Sequence, residues 1–449
     1  MDLEPQADEP PVQFEARNIV GWVSLAVVFS FLCLVALSGY FSTQRKSSVT
    51  KSEAERALKT RVQLGSLVVT PETDLGVQAA RLRPLLDKDA EAELIYAAIQ
   101  SERHAALPPG ALNALKGSAK PFDAAIYEIY SNKTLAPDRA RYLAGLLPKE
   151  RFVYKVAGVH AMEKAGIPDA RSHLGTEAGA SILLLCSLGI VLFFGVGLIL
   201  LFAYVVARAA GQLRPFGLPL GNLTLVQADR VAARSAQLFL FYIGVQFAAV
   251  AIVSVVPKNF IEVPLYLATI VGFILISRVP VAGMRLNLPE LGIRREKLGE
   301  HILWGIGGAI ANVPVFLTVA YVSTTLMKGL PAPEHPVNIE MQDATSKLMF
   351  LKILFTTSVA APIVEEILFR GTFFPALASV LKSPLWAGVI TSLIFGMIHP
   401  TGIPAWAPLA CIGGMSCFLS YQTRSLVPSI VMHAVHNFGT LVFGYLLLR

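Results

Sequence analysis

Charged residues are scarce in this chain of 449 residues, at 15% of the composition against 54% apolar residues. Soluble globular proteins carry about 25% charged residues. The composition therefore excludes an ordinary soluble protein and indicates an integral membrane protein. The net charge of +7 does not indicate nucleic-acid binding, because membrane proteins carry excess Lys and Arg on their cytoplasmic loops.

Cysteine is rare as well, and its four occurrences all fall within apolar runs. Their spacing matches neither a zinc-binding motif nor the disulfide framework of a secreted domain. We interpret them as small apolar packing residues. They are Cys33, Cys186, Cys411 and Cys417.

Positive charge is missing from the first residues, which include Asp2, Glu4, Asp8 and Glu9. A secretory signal peptide starts with a basic segment. We therefore expect the first apolar run to be retained as a membrane anchor.

Long apolar runs dominate the rest of the chain, and about nine of them are candidate membrane spans. The sequence predicts an all-α polytopic membrane protein in three parts: an N-terminal tail with the first anchor at 1–42, a soluble helical domain at 43–178, and a multi-span membrane domain at 179–449. The helical domain is predicted from amphipathic patterns punctuated by Gly and Pro. The predicted spans are roughly 19–41, 179–207, 236–256, 260–278, 302–327, 348–378, 385–399, 403–421 and 426–447.

The short loops carry an asymmetric distribution of Lys and Arg. Most of these residues, for example Arg208, Arg234 and Arg285, lie on one side, which we predict to be cytoplasmic. The N-terminus is then inside and the helical domain outside, in a plasma (inner) membrane. Arg45 and Lys46, directly after the first span, favour the opposite orientation.

Isolated histidines occur in the polar region, at His104, His160 and His173. No catalytic constellation surrounds them in the sequence. We interpret them as surface or helix-capping residues.

Ionisable residues within the spans cluster near the C-terminal end of the sequence. A charge at the centre of a bilayer costs about 2.5–3.5 kcal/mol even on lenient scales, so such residues indicate a partner or a function. Three short segments carry them: APIVEEILFR at 361–370, FGMIHP and HAVHN. The polar residues are Glu365, Glu366, Arg370, His399, His433, His436 and Asn437.

Helical geometry sorts the polar residues into faces. Glu366 and Arg370 are four residues apart and suit an ion pair. Glu365 points about 100° away from Glu366, so it is predicted to remain outside that pair. His433 and Asn437 are also four residues apart and share a face.

Depth along the helices predicts which groups can meet. At about 1.5 Å per residue, Glu365 and His399 both lie roughly 20 Å from the cytoplasmic ends of their helices. They can therefore approach each other. His433 lies only roughly 10 Å deep by the same rise, so tilt or an unwound start of its helix is needed to bring it to Glu365.

Small residues recur every four positions in the seventh span, at Gly388, Ser392 and Gly396. This spacing lets helices approach closely. We expect the stripe to pack beside the sixth span and so to bring His399 near Glu365, although packing without a catalytic consequence fits the pattern as well.

A carboxylate, two imidazoles and an amide on converging helices suit the addition of water to a carbonyl group. Glu365 is the candidate general base, and an imidazole from a neighbouring helix can hold the same water. Asn437 and His433 are candidate donors to the oxyanion of a tetrahedral intermediate. The pattern predicts peptide hydrolysis without a nucleophilic Ser or Cys.

Three motifs in order also resemble a known family. EEILFR has the form EExxxR, Phe395 to His399 has the form FxxxH, and His433 to Asn437 has the form HxxxN. Their order and spacing resemble the CAAX prenyl endopeptidase and bacteriocin-processing family, often called CPBP or Abi. The resemblance covers roughly residues 290–447.

The resemblance implies an all-helical membrane core around a polar cavity and an intramembrane endopeptidase activity. It implies that Glu365 and His399 activate the water, while His433 and Asn437 stabilise the oxyanion. The substrate would be a membrane-associated protein or peptide in contact with the lipid bilayer.

The supporting roles follow from the same resemblance. Glu366 and Arg370 would hold the motif helix in place. The inserted domain at 43–178 departs from the family architecture and leaves the substrate open.

A metal requirement is left open by the sequence. Glu365, His399 and His433 are a possible three-residue zinc site with an open position. The chain has no HExxH motif, in which one helix supplies both histidines and the base. We favour a metal-independent glutamate mechanism with no cofactor, and zinc stays the alternative.

Two other classes of function fit the polar spans. Intramembrane Glu and His residues also build proton relays, so a proton-coupled transporter is an alternative, although no second related half is visible in the sequence. The second class is a non-catalytic immunity or binding protein that retains the fold.

Overall fold

The chain is described here by a computed structural model. All regular elements among the described residues are helical, which agrees with the predicted all-α class. The described residues are 23–30, 32–33, 35, 47–64, 75–148, 151–174, 176–213, 216–217, 225–253, 261–280, 290–293, 296–327, 330, 337 and 347–448.

The chain divides into two compact units. One is built mainly of residues 42–191, and the other mainly of residues 192–337 and 346–441. The first unit contains the segment 43–178, in which the sequence predicts a soluble helical domain, and we call it the helical unit. We call the second unit the membrane unit.

The helical unit contains seven α-helices within the described residues, with short 3-10 turns at Arg83–Leu85 and Ala170–Leu174. Its apolar core contains Leu82, Leu94, Ile95, Ala98 and Ile99, which belong to the amphipathic pattern that predicts helices in this segment. The helices are α1 (Ser47–Leu64), α2 (Leu75–Leu82), α3 (Ala90–Glu102), α4 (Asn113–Gly117), α5 (Pro121–Ser131), α6 (Pro137–Leu146) and α7 (Phe152–Lys164).

The centre of this unit is α3, which is buried along nearly its whole length. Its core residues Leu94, Ile95 and Ile99 are at most 1% exposed. Asp89 begins the helix, because its side chain accepts hydrogen bonds from the backbone N–H groups of Glu91 and Ala92. These bonds satisfy donors that the first turn of a helix leaves free.

Glu93 connects α3 to α4 through a buried carboxylate. Its side chain is fully buried and accepts hydrogen bonds from the backbone N–H groups of Asp87, Ala114 and Leu115 at 3.0, 3.0 and 2.8 Å. Two of these donors lie in the first turn of α4, where a negative charge is favourable. Both carboxylate oxygens are therefore used.

His160 is buried, which corrects its interpretation as a surface or capping residue. Its ring lies between the Tyr130 hydroxyl, 3.0 Å from Nδ1, and Glu102 Oε1, 2.8 Å from Nε2. Arg171 also donates to Glu102. Burial alone would raise the pKa of Glu102, but the hydrogen bonds from His160 and Arg171 outweigh burial and lower this pKa below its ordinary value.

Eight further helices within the described residues are apolar. They begin at α8, which leads out of the helical unit, and they cover all the predicted spans except the first. These helices are α8 (Thr176–Ala209), α9 (Leu225–Val253), α10 (Glu262–Arg278), α11 (Leu298–Leu326), α12 (Lys347–Leu381), α13 (Pro384–Met397), α14 (Ile403–Thr423) and α15 (Val427–Leu448).

Five helices within the described residues are long and apolar enough to cross a membrane, against about nine predicted spans. The chain is thus a polytopic membrane protein, with fewer clear spans than predicted. α13 is apolar but has only 14 residues, and most of the first predicted span, 19–41, lies outside the described residues. The five are Leu184–Ala209, Asp229–Ala249, Leu298–Leu326, Lys347–Leu381 and Ile403–Thr423.

Arg234 is buried within α9, although the orientation prediction counts it among the loop charges. The side chain is fully buried. Its guanidinium donates to Gln237 Oε1 over 3.0 Å and to the carbonyl oxygens of Ile276 and Val279. These carbonyls lie at the C-terminal end of α10, where a cation is favourable. Arg234 therefore joins α9 to α10.

The helices that surround the polar residues pack around α14. α14 lies against α11 and α13, while α9 packs along the C-terminal half of α12. Ser323 Oγ of α11 donates to the Pro404 carbonyl of α14 over 2.7 Å. This packing places the polar residues of α12, α14 and α15 within one unit.

We expect Glu93→Gln to weaken the helical unit by about 1–3 kcal/mol, because an amide cannot replace a charged acceptor at three N–H groups. Hydrogen exchange measured by mass spectrometry on the full protein in detergent should be faster in peptides from α3 and α4. Glu128→Gln is the matched control, since Glu128 pairs with Arg139 at the exposed surface, where ion pairs contribute little. Unchanged exchange in Glu93→Gln contradicts the structural role of this carboxylate.

Candidate active site

α12 changes its helical pitch on both sides of the adjacent glutamates. π-helical segments at Thr356–Ala360 and Ile367–Phe373 flank the α-helical segment Ala361–Glu366. In a regular α-helix the ring of Pro362 would collide with the carbonyl four residues earlier, and a widened π turn before it gives the ring room. π segments inside α-helices are frequent at functional sites.

Glu366 lies at the buried centre of the candidate site. Its side chain has no exposed surface. Its Oε1 atom accepts hydrogen bonds from Arg370 Nη1 over 3.1 Å and from Ser416 Oγ over 3.2 Å, and His433 Nδ1 lies 3.0 Å from the same oxygen. The ion pair that the i, i+4 spacing predicts is present, and these contacts tie it to α14 and α15.

The Arg370 guanidinium is held from two further directions. Nη2 donates to the Gly413 carbonyl over 2.9 Å, and the guanidinium lies 4.6 Å from the centre of the Phe395 ring. A Cβ at position 413 would lie 3.2 Å from Arg370 Nη2 and 2.9 Å from Ser392 Cα. Glycine at this position therefore lets α14 come close enough for its carbonyl to accept the hydrogen bond.

Glu365 differs from Glu366 in both exposure and contacts. Its side chain keeps 24% of its surface exposed, against 0% for Glu366. Its Oε2 atom makes no hydrogen bond with the residues that the structure describes, and His433 Nε2 lies 3.9 Å away. Glu365 is thus the carboxylate outside the ion pair, as the 100° rotation between adjacent helical residues predicts.

His433 lies between the two carboxylates. Nδ1 faces Glu366 at 3.0 Å, and Nε2 faces Glu365 at 3.9 Å. Only 4% of the imidazole side chain is exposed, so protein contacts fix its ring. The motif spacing predicts a shared face with Asn437 but does not predict the contact with Glu366.

The position of His433 corrects the depth estimate. α15 is helical from Val427, so an unwound start does not bring His433 to Glu366. The π segment Ile367–Phe373 lies between Glu366 and the C-terminal end of α12. Because its hydrogen bonds run from i to i+5, it holds more residues per turn, and a uniform rise overestimates the depth of the glutamates in part. Helix tilt is the other predicted cause, and it stays a prediction.

His399 follows α13 and packs on the same aromatic ring as His433. Its ring centre lies 4.8 Å from that of Phe395, and the Phe395 ring lies 5.6 Å from the ring of His433. His399 Nδ1 lies 2.6 Å from the Phe395 carbonyl oxygen. If Nδ1 carries the proton, Nε2 is the acceptor nitrogen. Both imidazoles therefore lie against one ring, His399 through the FxxxH spacing and His433 through the packing of α15.

Asn437 is anchored to the first π segment of α12. Its Nδ2 donates to the Thr357 carbonyl over 2.9 Å. One helical turn separates Asn437 from His433, so both side chains turn toward α12. The hydrogen bond uses one of the two N–H groups of the amide.

The small-residue stripe of α13 packs mainly on α14. A Cβ at Gly396 would lie 2.2 Å from the Trp406 carbonyl oxygen in α14, and Ser392 also borders α14. Gly388 also borders α12, through Phe374, and α13 packs on the C-terminal part of α12. The predicted packing beside α12 is therefore present, but Gly396 faces α14 instead, because spacing identifies a helix face and not the helix that covers it.

Two residues of α14 belong to the site although no motif marks them. Ser416 donates to Glu366, and the Gly413 carbonyl accepts from Arg370. The run of small residues in this helix indicates a close approach, but it does not indicate which groups are reached. His436, by contrast, packs its ring 4.8 Å from Phe316 of α11.

The described residues do not form a metal site. Among them, no three His, Cys, Asp or Glu side chains are grouped so that they could hold a metal ion. Glu365, His399 and His433 are therefore not gathered as three metal ligands in this arrangement, and the zinc alternative stays a prediction.

Comparisons with known proteins agree with the three motifs. Residues 347–439 match the family model described as "Type II CAAX prenyl endopeptidase Rce1-like". The chain is 24% identical over 148 residues to "Putative membrane peptidase YdiL" from Bacillus subtilis (strain 168), a match that covers 32% of the chain and 57% of that protein. No solved structure matches the chain. The predicted family resemblance is confirmed for the matched part of the chain.

Removing the charge of Arg370 should destabilise the membrane unit strongly. We expect Arg370→Met to cost about 3–5 kcal/mol, because Glu366 is left as an uncompensated buried charge. The double variant Glu366→Gln/Arg370→Met should lose less stability than the single variant, because it leaves no unpaired buried charge. Thermal unfolding of the purified protein in detergent measures both.

Arg278→Met is the control for this series, since Arg278 is exposed at the end of α10 and surface charges contribute about 0–1 kcal/mol. Equal loss in Arg370→Met and Arg278→Met would show that the buried pair does not hold α12, α14 and α15 together.

Proposed function

We propose that this protein is an intramembrane endopeptidase that hydrolyses peptide bonds with a water molecule activated by Glu365. The observation that carries the proposal is the position of His433 between an ion-paired glutamate and a partly exposed one. The family match over residues 347–439 supports the same chemistry. The two glutamates then have separate tasks, one structural and one catalytic.

In the proposed reaction Glu365 is the general base. Its side chain is partly exposed, and its buried Oε2 atom has no hydrogen-bond partner among the described residues. We therefore place the activated water beside the exposed part of this carboxyl group. Glu365 takes one proton from the water while the water oxygen forms a bond with the carbonyl carbon. His399, which packs on the Phe395 ring shared with His433, holds the same water.

The oxyanion forms when the carbonyl π electrons move to oxygen. We propose that His433 and Asn437 donate hydrogen bonds to it. A protonated His433 gives Nδ1–H to Glu366 and presents Nε2–H beside Glu365, and Asn437 has a second N–H beyond the one given to Thr357. Collapse of the intermediate breaks the C–N bond, and the departing amine takes its proton from Glu365.

The substrate class follows from the location of the site among apolar helices. We propose a membrane-associated protein or peptide. A prenylated C-terminal sequence is the first candidate, because the matched family is described as a CAAX prenyl endopeptidase. The segment 43–178 is proposed to recruit a partner outside the membrane. A cytoplasmic N-terminus and a plasma (inner) membrane location belong to the same proposal.

Glu365→Gln should lower cleavage by at least about a hundredfold, because a positioned general base contributes about 10²–10⁴. The measurement uses purified full-length protein in detergent with two quenched fluorescent probes, an apolar membrane-spanning peptide and a farnesylated CAAX peptide. Glu300→Gln is the matched control, since Glu300 is exposed at the start of α11. A zinc chelator should leave wild-type cleavage unchanged.

The other outcomes contradict specific parts of the proposal. Equal cleavage by wild type and Glu365→Gln would remove Glu365 as the base. Loss of wild-type cleavage with chelator, restored by added zinc, would replace the metal-free mechanism. Cleavage that is absent in detergent but appears in sealed proteoliposomes with a proton gradient would favour a transporter-like cycle.

A further inference from the structure

Ser416 of α14 is a fully buried serine whose hydroxyl reaches across to α12. It donates to Glu366 Oε1 over 3.2 Å. None of the three sequence motifs includes α14, so this serine has no assigned role in the proposed reaction. Its hydrogen bond nevertheless ends on the carboxylate that faces His433.

The direction of this hydrogen bond differs from that of nearby serine hydroxyls. A serine inside a helix can donate to a carbonyl of the turn before it. Ser392 of α13 donates in this way to Gly388, and Ser420, one turn further along α14, donates to Cys417 over 3.0 Å. Ser416 instead gives its single O–H to a side chain of another helix.

α14 contacts both members of the buried ion pair with one face. Gly413 and Ser416 are three residues apart, and residues at this spacing are neighbours on a helix surface. The Gly413 carbonyl accepts from the Arg370 guanidinium over 2.9 Å, while the Ser416 hydroxyl donates to Glu366. The acceptor meets the cation and the donor meets the anion, so this face of α14 fits the pair in one orientation.

The hydrogen bonds of Glu366 are concentrated on one oxygen. Oε1 accepts from Arg370 and Ser416 and faces His433 Nδ1 at 3.0 Å, whereas the buried Oε2 has no partner among the described residues. Arg370 lies on the same helix as Glu366 and donates through Nη1 alone, so it does not by itself fix the plane of the carboxylate. The donor from α14 is a second point that holds Oε1 on the side of His433.

We propose that Ser416 is a positioning residue that keeps Glu366 Oε1 directed at His433 and thereby fixes the imidazole that faces Glu365. This inference rests on the proposed function. The contacts run from the Ser416 hydroxyl to Glu366 Oε1 and on to His433 Nδ1. Across the ring, His433 Nε2 lies 3.9 Å from Glu365 Oε2. Ser416 does not contact the substrate; it acts through Glu366 and His433.

Ser416→Ala removes only the hydroxyl. We expect kcat for the probe peptide to fall about tenfold with KM unchanged, because an imidazole that is held less firmly is oriented for the transition state less often. Ser420→Ala is the matched control. Both serines are 0% exposed and lie on the same helix, but Ser420 donates to a backbone carbonyl and not to a glutamate. The control should leave both constants unchanged.

Nuclear magnetic resonance of the full protein with isotope-labelled histidine gives a readout that does not depend on activity. The proton on His433 Nδ1 is identified as the signal that His433→Gln lacks. Ser416→Ala should shift this signal, because the oxygen that accepts the proton loses a neighbouring donor. Ser420→Ala should leave the signal in place.

The two readouts separate the two proposals. Unchanged kcat in Ser416→Ala, an unmoved His433 signal, or an equal fall of kcat in Ser420→Ala each overturns the role of Ser416. Equal cleavage by wild type and Glu365→Gln overturns the proposed function instead. In that case a His433 signal that moves in Ser416→Ala and not in Ser420→Ala still supports the contact from Ser416 through Glu366 to His433.

Discussion

The buried ion pair between Glu366 and Arg370 is the constraint on which the rest of the site depends. Both side chains have no exposed surface, and removing each charge from water costs several kcal/mol. Their attraction offsets this cost only if neighbouring groups complete the hydrogen bonds. Ser416, the Gly413 carbonyl and His433 supply them. The pair therefore requires α14 and α15 to lie close to α12 at this level.

The same pair fixes the chemistry of the residue beside it. Because adjacent residues of a helix diverge by about 100°, Glu366 can turn into the pair only if Glu365 turns away from it. His433 contacts Glu366 through one ring nitrogen and leaves the other toward Glu365. One buried charge thus orients an imidazole, and that imidazole faces the second carboxylate. The catalytic roles proposed for Glu365 and His433 depend on this arrangement.

Buried carboxylates in the two units are satisfied to different extents. Glu93 uses both oxygens on backbone N–H groups at the start of α4, which is sufficient for a structural role. In the membrane unit Glu366 Oε2 and Glu365 Oε2 have no hydrogen-bond partner among the described residues. Unsatisfied buried polar atoms are costly and are often found where a protein carries out chemistry. The contrast therefore distinguishes the carboxylate of the helical unit from the two glutamates of the site, and exposure distinguishes Glu365 from Glu366.

Local spacing in the sequence determined the helical class, the membrane location, the Glu366–Arg370 pair and the separation of Glu365 from it, because these follow from composition and the 3.6-residue repeat. Sequence spacing could not determine which helix covers a given face. It assigned Gly396 to the wrong neighbour and missed Ser416. Only the tertiary structure decided these contacts and the position of His433 between the glutamates, because they depend on π segments and helix packing that no local pattern encodes.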